Sequence, residues 1–560
     1  MSITLHALSF SWPDGTPVLD GLTTTIGAGR TGLVAPNGGG KTTLLRLLTG
    51  ELTPTAGSVT VDGVLGHLPQ ELPTSAMGTV ADAMGTVADA LGIATVLAAV
   101  TAVERGDTDP AHVDAIGVDW DVEERAVAQL DRLGLGGIAL DRRLATPSGG
   151  QVVAVGLAGR LLRRPDVLLL DEPTNNLDRR ERDRLAGVVD AFRGTLLVVS
   201  HDRELLDRMD RTAELTRGAL RTVAGGFTAW ESVVAAEQAA AERDVRSAEQ
   251  ALRRERRERQ EARERAERRS ASAARRAPDA GIPTILLGAR QRRAEESAGR
   301  ADGTHGARVD AARARLDRAE ASLRQDPAIA LELPGTRVPA GRVVVDAVGV
   351  DVRGLFPGGV DLALRGPERV ALTGGNGSGK STLLRVLAGE LAPDRGTVTR
   401  AEGRVAYLSQ RLDLLDPETA VADALATAAP DRPEAERRTL LARFLFRGAR
   451  AHLPVGALSG GERLRAVLAC VLFADPAPQL LLLDEPTNNL DLASVAHLVS
   501  ALSAYRGALV VVSHDERFLD ELALDRRLDL ADGRLSPARG NSAGPRTSAG
   551  APPDPARPPR

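Results

Sequence analysis

At 560 residues the chain exceeds what one hydrophobic core supports, and two to four domains are expected. Hydrophobic residues at 43% and charged residues at 26% are the balance of a chain that folds in water, and no apolar run approaches the roughly 18 to 20 residues of a membrane span. A net charge of -4 leaves only local surfaces to attract nucleic acid, and the single cysteine, Cys470, excludes intrachain disulfides, cysteine-held zinc and iron-sulfur clusters and reads as core filler. Met1 to Phe10 alternates polar and apolar residues as a strand does, without the charged start and apolar block of a secretion signal, so a cytoplasmic location is expected. Trp12 follows, a candidate to stack on a planar base or to bury in the core.

An apolar strand then runs into Ala35-Pro36-Asn37-Gly38-Gly39-Gly40-Lys41-Thr42-Thr43. Glycines at this spacing let backbone N–H groups turn inward around phosphate oxygens. The lysine reaches the terminal phosphates, and the Thr42 hydroxyl is placed to hold magnesium. Further along, Val167-Leu168-Leu169-Leu170 reads as a buried parallel strand that ends in Asp171-Glu172. Side chains alternate along a strand, so Asp171 can face a magnesium shell while Glu172 orients an attacking water. Ser200-His201-Asp202 follows a second apolar run.

From about residue 229 to 337 the composition changes to alanine, arginine and glutamate, which predicts an arm of two helices running out and back. Ala241, Val245, Ala248, Leu252, Ala262 and Ala266 fall on one seam, interrupted at Glu255 and Arg259. Val309, Ala312, Leu316, Ala319 and Leu323 fall on another. An outbound helix from Glu231 to Arg276 would measure about 60 to 70 Å. Between Arg253 and Arg276 there are 11 arginines against 5 glutamates, an excess suited to phosphate backbones, although charged helices also serve simply to solvate a coiled coil. The apolar tip, Gly281 to Gly288, either folds back on the helices or meets a partner.

The ordered motifs of the first half then recur. Gly374-Gly375-Asn376-Gly377-Ser378-Gly379-Lys380-Ser381-Thr382 repeats the phosphate loop, and Lys41 and Lys380 are the only lysines among 71 basic residues. A compact ammonium is evidently preferred there to a planar guanidinium. Leu481-Leu482-Leu483-Asp484-Glu485 repeats the acid-tipped strand and Ser513-His514-Asp515 the histidine, with 30 positions between aspartate and histidine in both copies. The tail beyond residue 540 has the composition of a disordered segment.

Ser148-Gly149-Gly150-Gln151 and Leu458-Ser459-Gly460-Gly461-Glu462 resemble the signature motif of ABC ATPases. The strings Asp171 to Asp178 and Asp484 to Asp491, each reading Asp-Glu-Pro-Thr-Asn-Asn-Leu-Asp, resemble the ABC-F family in particular, as does the charged linker between two cassettes without membrane spans. The fold implied is α/β: two ABC-type ATPase domains, residues 1–228 and 338–539, joined by a helical hairpin at 229–337 and followed by a tail at 540–560. The resemblance assigns Gln70 and Gln410 to the Q-loops that help hold Mg2+ with Thr42, Asp171, Ser381 and Asp484. It makes Asp178 and Asp491 the D-loop residues and His201 and His514 the switch histidines on the γ-phosphate. Glu172 and Glu485 become the catalytic bases. ATP on Lys41 would meet Ser459-Gly460-Gly461 of the second copy, and ATP on Lys380 would meet Ser148-Gly149-Gly150 of the first, within one monomer.

Two departures from the family pattern, Ala35 for a leading glycine and Pro147 for a leucine, predict unequal sites. Trp12 is the adenine-stacking candidate of the first site, and Phe356 is a weaker one for the second. Family membership further implies a clamp on the ribosome whose linker reaches rRNA and the P-site tRNA, serving antibiotic resistance or translation regulation. The alternative is the ATPase subunit of an ABC transporter with separate membrane subunits. Between Gln70 and Ser148 the first copy is longer than the second by about 29 positions, seven of them in a tandem duplication at 78–91, which is short for a large ribosome-binding insertion.

Overall fold

In each half two neighbouring strands are buried along nearly their whole length, at every position in the first half and at all but Gln479 in the second, and these set the architecture. The computed structural model describes residues 1–70, 85–143, 149–175, 177–276, 284–322, 333–401, 404–488 and 490–538. The sequence-derived features at Pro147, Ser148, Asn176, Gly281 to Pro283, Leu323, Asn489 and the tail therefore lie outside the described residues, as does the first part of the duplication.

The first half opens with β1 (Ile3–Ser11), β2 (Pro17–Ile26), β3 (Gly29–Val34), β4 (Ala56–Val61) and β5 (Leu65–Leu68), and continues with β6 (Val167–Asp171), β7 (Thr195–Val199), β8 (Arg211–Leu215) and β9 (Leu220–Ala224). Strands β2-β1-β4 form an antiparallel sheet, and β5-β6-β7-β3-β8-β9 a six-stranded sheet that is parallel from β5 to β8. β6 and β7 are buried throughout, as strands covered on both faces must be, and alternate residues, Val167, Leu169, Leu197 and Val199, join one core of the first half. The second half repeats the plan with β10 (Val343–Asp351), β11 (Val360–Arg365), β12 (Arg369–Thr373), β13 (Arg395–Arg400), β14 (Arg404–Leu408), β15 (Pro478–Asp484), β16 (Ala508–Val512), β17 (Arg526–Ala531) and β18 (Arg534–Pro537). Its sheets are β11-β10-β13 and β14-β15-β16-β12-β17-β18.

Register places the chemistry. Val199 at the end of β7 pairs with Leu33 on one side and Asp171 on the other, so β3, β6 and β7 end level and the three loops that follow emerge together. Val512 pairs in the same way with Leu372 and Asp484. Parallel sheets present ligand sites at the carboxyl ends of such strands.

The longer segment of the first half is helical. Helices Val87–Leu91, Ala94–Glu104, Pro110–Ile116 and Val122–Arg132 occupy it, where the second half has Val421–Ala428 and Glu434–Arg443. Ala99, Val100 and Ile116 form a small core of their own there.

Contacts divide the chain into two units, Met1–Thr222 with Ala328–Arg560, and Val223–Pro327. The second unit is a pair of helices, Phe227–Arg276 and Thr284–Ser322. The first helix begins four residues before the expected Glu231, because Phe227 and Trp230, with ring centroids 5.3 Å apart, continue the same helical face. Leu252 and Ala312, two of the expected seam residues, are buried at 6% and 5% exposure. Arg259 lies against Gly306, so the helices are antiparallel and Glu255 and Arg259 continue the seam, half-buried, rather than leaving it. Ion pairs such as Arg254–Glu258 at 2.8 Å and Arg257–Glu261 at 2.9 Å lace the exposed face, where solvent screening leaves them little to add.

Candidate nucleotide sites

Each phosphate loop ends in a glycine that only a residue without a Cβ adopts easily. Gly40 (φ 92°) and Gly379 (φ 97°) cap the helices Lys41–Leu48 and Lys380–Ala388 in the left-handed region, and turn the loop back over the helix N-terminus. The two loops enter differently. Gly374 has φ 144°, and a Cβ there would lie 2.4 Å from the Leu530 carbonyl oxygen. Ala35 occupies the equivalent place with an ordinary φ and packs its methyl into the core, which explains how the first loop dispenses with the glycine. The lysines are held alike: Lys41 Nζ donates to the Ala35 carbonyl at 2.8 Å and Lys380 Nζ to those of Gly374 and Gly375 at 2.7 and 2.9 Å. Burial pulls both ammonium groups below their ordinary range.

Around Lys41 lies a cavity of about 330 Å³ lined by Trp12, Asn37, Gly38, Gly39, Gly40, Thr42, Thr43, Gln70, Asp171, Glu172 and His201, among others. His201 Nε2 stands 3.0 Å from Lys41 Nζ and 3.3 Å from Glu172 Oε1. Burial raises the Glu172 carboxyl to about 8, and burial beside the Lys41 charge lowers the His201 imidazole to about 3. In the second site, burial raises Glu485 to about 7 and lowers His514 to about 4. His514 Nε2 and Glu485 Oε1 stand 3.4 Å apart without hydrogen-bond geometry. Both glutamates have left-handed backbones, φ 46° and 47°, a conformation costing about 1–3 kcal/mol that turns the carboxyl back toward the histidine loop. The His201 and His514 amides donate to these carboxyls at 3.2 and 3.3 Å.

Several buried polar atoms here lack a hydrogen-bond partner among the described residues: Asp171 Oδ1, Glu172 Oε1 and His201 Nδ1 in the first site, and Ser378 Oγ, Glu485 Oε1 and His514 Nε2 in the second. Isolated, such atoms are costly, and gathered beside an ammonium and a glycine loop they fit a phosphate group with its cation. Thr42 hydrogen-bonds Asp171, the pair that would hold magnesium in the first site. In the second, Asp484 accepts from Tyr407 Oη at 3.1 Å, while Ser381 and Gln410 are exposed.

A broader groove of about 2260 Å³ includes Gly374 to Ser378, Ser513 and His514 together with Asp178 and Arg179 of the first half. Phe356 does not reach it. It is wholly buried under Gly379, and Leu355, 38% exposed, lines the groove instead. Trp12 is 38% exposed on its own cavity, edge-on to Phe10.

The halves meet through Asp178 and Asp491, reciprocally. Asp491 Oδ1 accepts the Ser494 amide and so caps its own helix, while Oδ2 accepts the Asn37 amide of the opposite phosphate loop at 2.8 Å. Asp178 divides its oxygens between Glu181 and Asn376 in the same way, at 3.0 and 3.3 Å. Although burial works against it, these hydrogen bonds hold Asp491 below the usual carboxylate range. The glycine pairs lie one step further back. Gly149 and Gly150, and Gly460 and Gly461, begin the helices Gly149–Leu162 and Gly460–Leu472, and neither pair lines the cavity at Lys41 or the groove at Gly374 to Ser378. Ser459 caps its helix in a reciprocal box with Glu462. A Cβ on Gly150 would overlap the Glu181 carboxylate, and one on Gly461 would lie 2.1 Å from Ser494 Oγ, so both glycines admit the helix that follows the bridging aspartate. Sequence reasoning missed this packing role; the Ser459-x-x-Glu462 spacing was the signal for the cap.

The ABC transporter family model matches residues 19–175 and 358–488. A tylosin resistance ATP-binding protein, TlrC, of Streptomyces fradiae is 37% identical over 96% of this chain and 98% of its own length. The probable ATP-binding protein YheS of Escherichia coli K12 is 34% identical over 92% of this chain and 78% of its own. Among solved structures, the complex of an archaeal ribosomal stalk protein with the archaeal ribosome recycling factor aABCE1 matches with a TM-score of 0.57 over 95% of this chain and 89% of that one; at 19% identity the likeness is one of fold. Among the described residues, no helix is long and apolar enough to cross a membrane.

Proposed function

We propose, for a chain that belongs to the ABC-F family of ATP-binding proteins, that its two cassettes hydrolyse ATP as a nucleotide-timed clamp on the ribosome, and that the clamp protects the ribosome from an antibiotic. The observation that carries this reading is the arm. A 50-residue helix with an arginine-rich outer half has an obvious use against rRNA or tRNA phosphates and none in an ATPase that docks on membrane subunits. The Streptomyces fradiae relative is a tylosin resistance protein, which makes tylosin the first antibiotic to test.

In each site the loop amides and the lysine bind the phosphates. Thr42, Asp171 and Gln70, and Ser381, Asp484 and Gln410, would hold magnesium, whose charge offsets that of the terminal phosphates. Glu172 and Glu485 orient the water and take its proton on the carboxylate, a role suited to groups poised near neutrality. His201 and His514 steady the γ-phosphate, and Trp12 flanks the base at the first site. The bridging of each phosphate loop by the opposite aspartate supports closure of the two cassettes on two ATP molecules, each beneath the glycine pair of the other half.

The test is sedimentation of an E172Q/E485Q variant with purified ribosomes and ATP, beside a version lacking Arg253 to Arg300, together with cell-free translation in tylosin. The variant is expected to lose ATP turnover and to pellet with ribosomes only when ATP is present and the arm intact, and the parent protein to restore translation. Undiminished turnover would remove the glutamate assignment. Failure to pellet would favour the transporter-subunit alternative.

A further inference from the structure

Arg182 lies on the helix Arg179–Ala191, four positions beyond Asp178, and its side chain is only 19% exposed. It pairs through Nη1 with Asp202 Oδ2 at 2.9 Å, a carboxylate 9% exposed, while Nε donates to the Leu177 carbonyl at 3.2 Å. The same Nη1 also reaches the carbonyl oxygen of His514 at 3.5 Å. Asp202 follows His201 directly, and its other oxygen caps the helix Arg203–Asp207. One guanidinium thus touches the histidine loop of each cassette. The equivalent position after Asp491 is Val495, 4% exposed, which has nothing to donate.

We propose that Arg182 is a positioning residue that couples the two nucleotide sites by tying the Ser200–Asp202 loop of the first to the His514 loop of the second, and that turnover at the second site depends on it while turnover at the first does not. A buried guanidinium held by a carboxylate is fixed in its fork geometry, so movement of Asp202 when the first site loads is passed to the His514 carbonyl. Coupling of binding energies must be reciprocal, but rates need not be, and the one-sided placement of the arginine therefore shows in turnover. Other pairs between the halves, Arg179–Glu516 and Arg203–Glu521, join helices rather than the histidine loops.

The inference rests on the reading that both sites hydrolyse ATP, and its test separates the two. R182M is made in the E172Q background, where only the second site can turn over, and in E485Q, where only the first can. Turnover in the first combination is expected to fall about tenfold with KM little changed, and in the second to stay within about twofold. R182M/D202N, which keeps the helix cap and leaves no buried charge unpaired, should repeat the pattern if the loss is not one of folding. R182K, with a charge but no fork, should fall between. Hydrogen exchange without nucleotide should speed up at both 200–202 and 513–515 in R182M. Equal losses in the two backgrounds, or faster exchange confined to the first loop, would overturn the coupling. If neither parent background hydrolyses ATP, the hydrolysis reading fails, and the exchange pattern still decides whether Arg182 joins the loops.

Discussion

Glu172 and Glu485 carry opposing demands, because a base must ionise and burial resists ionisation. Their folded values, about 8 and about 7, lie above the ordinary 4.5. A raised folded value means a contribution to stability that is complete below 4.5 and lost as pH rises through 7 and 8. The histidines act in the other direction: their lowered values, about 3 and 4 against 6.5, give a contribution present above 6.5 and lost as pH falls toward those values. The two losses are met in opposite directions of pH, and glutamine abolishes only the one met as pH rises. The E172Q/E485Q protein without nucleotide should therefore melt a few degrees above the parent at pH 9 and alongside it at pH 5; an equal difference at both would disconnect the carboxyls from stability. Gly461 gives a second residue-scale expectation. Alanine there would press on Ser494 Oγ at 2.1 Å, an overpacking worth about 1–3 kcal/mol in a denaturant melt, and S494A in the same chain should recover most of it.

At the scale of elements, the arm depends on a thin seam. Leu252 and Ala312 are the well-buried pair along it, and their neighbours Ala248, Ala262, Val309 and Leu316 are only half-covered. L252D should open the hairpin and speed tryptic cleavage after its arginines by at least about tenfold, with ATP binding by the cassettes retained; unchanged cleavage would mean that the seam adds little. The seam was legible because a coiled coil writes its contacts in a local period. The phosphate loops and acid-tipped strands were legible for a related reason: their chemistry needs contiguous residue types. The left-handed backbone at Glu172 and Glu485 left no trace, since glutamate has no preference for it. Phe356 looked available beside its loop, but its ring is wholly buried against Gly379, where an added Cβ would lie 2.8 Å from it. The break read at Glu255 and Arg259 rested on polarity alone; both are half-buried, and the Arg259 guanidinium lies beside Gly306 of the facing helix.

For the whole molecule, what matters is how two nearly equivalent halves come to act together, and no local period encodes that. The bonds from Asp491 to Asn37 and from Asp178 to Asn376 join residues 454 and 198 positions apart. Around them, Arg179–Glu516, Arg203–Glu521 and Arg517–Asp207 add charge pairs, and salt should weaken the first of these, whose arginine is 75% exposed, more than the aspartate bridges. Each bridging aspartate does two things at once, and they can be separated. Serine caps a helix about as well as aspartate but offers no second carboxylate oxygen. A D178S/D491S protein should keep its stability within about 0.5 kcal/mol and yet hydrolyse ATP about tenfold more slowly, because the phosphate loops are no longer tied to the opposite cassette. Loss of stability without loss of turnover would make the aspartates mere caps. Loss of turnover alone would place the union of the halves in these two carboxylates, with the charged rim left to steer their approach.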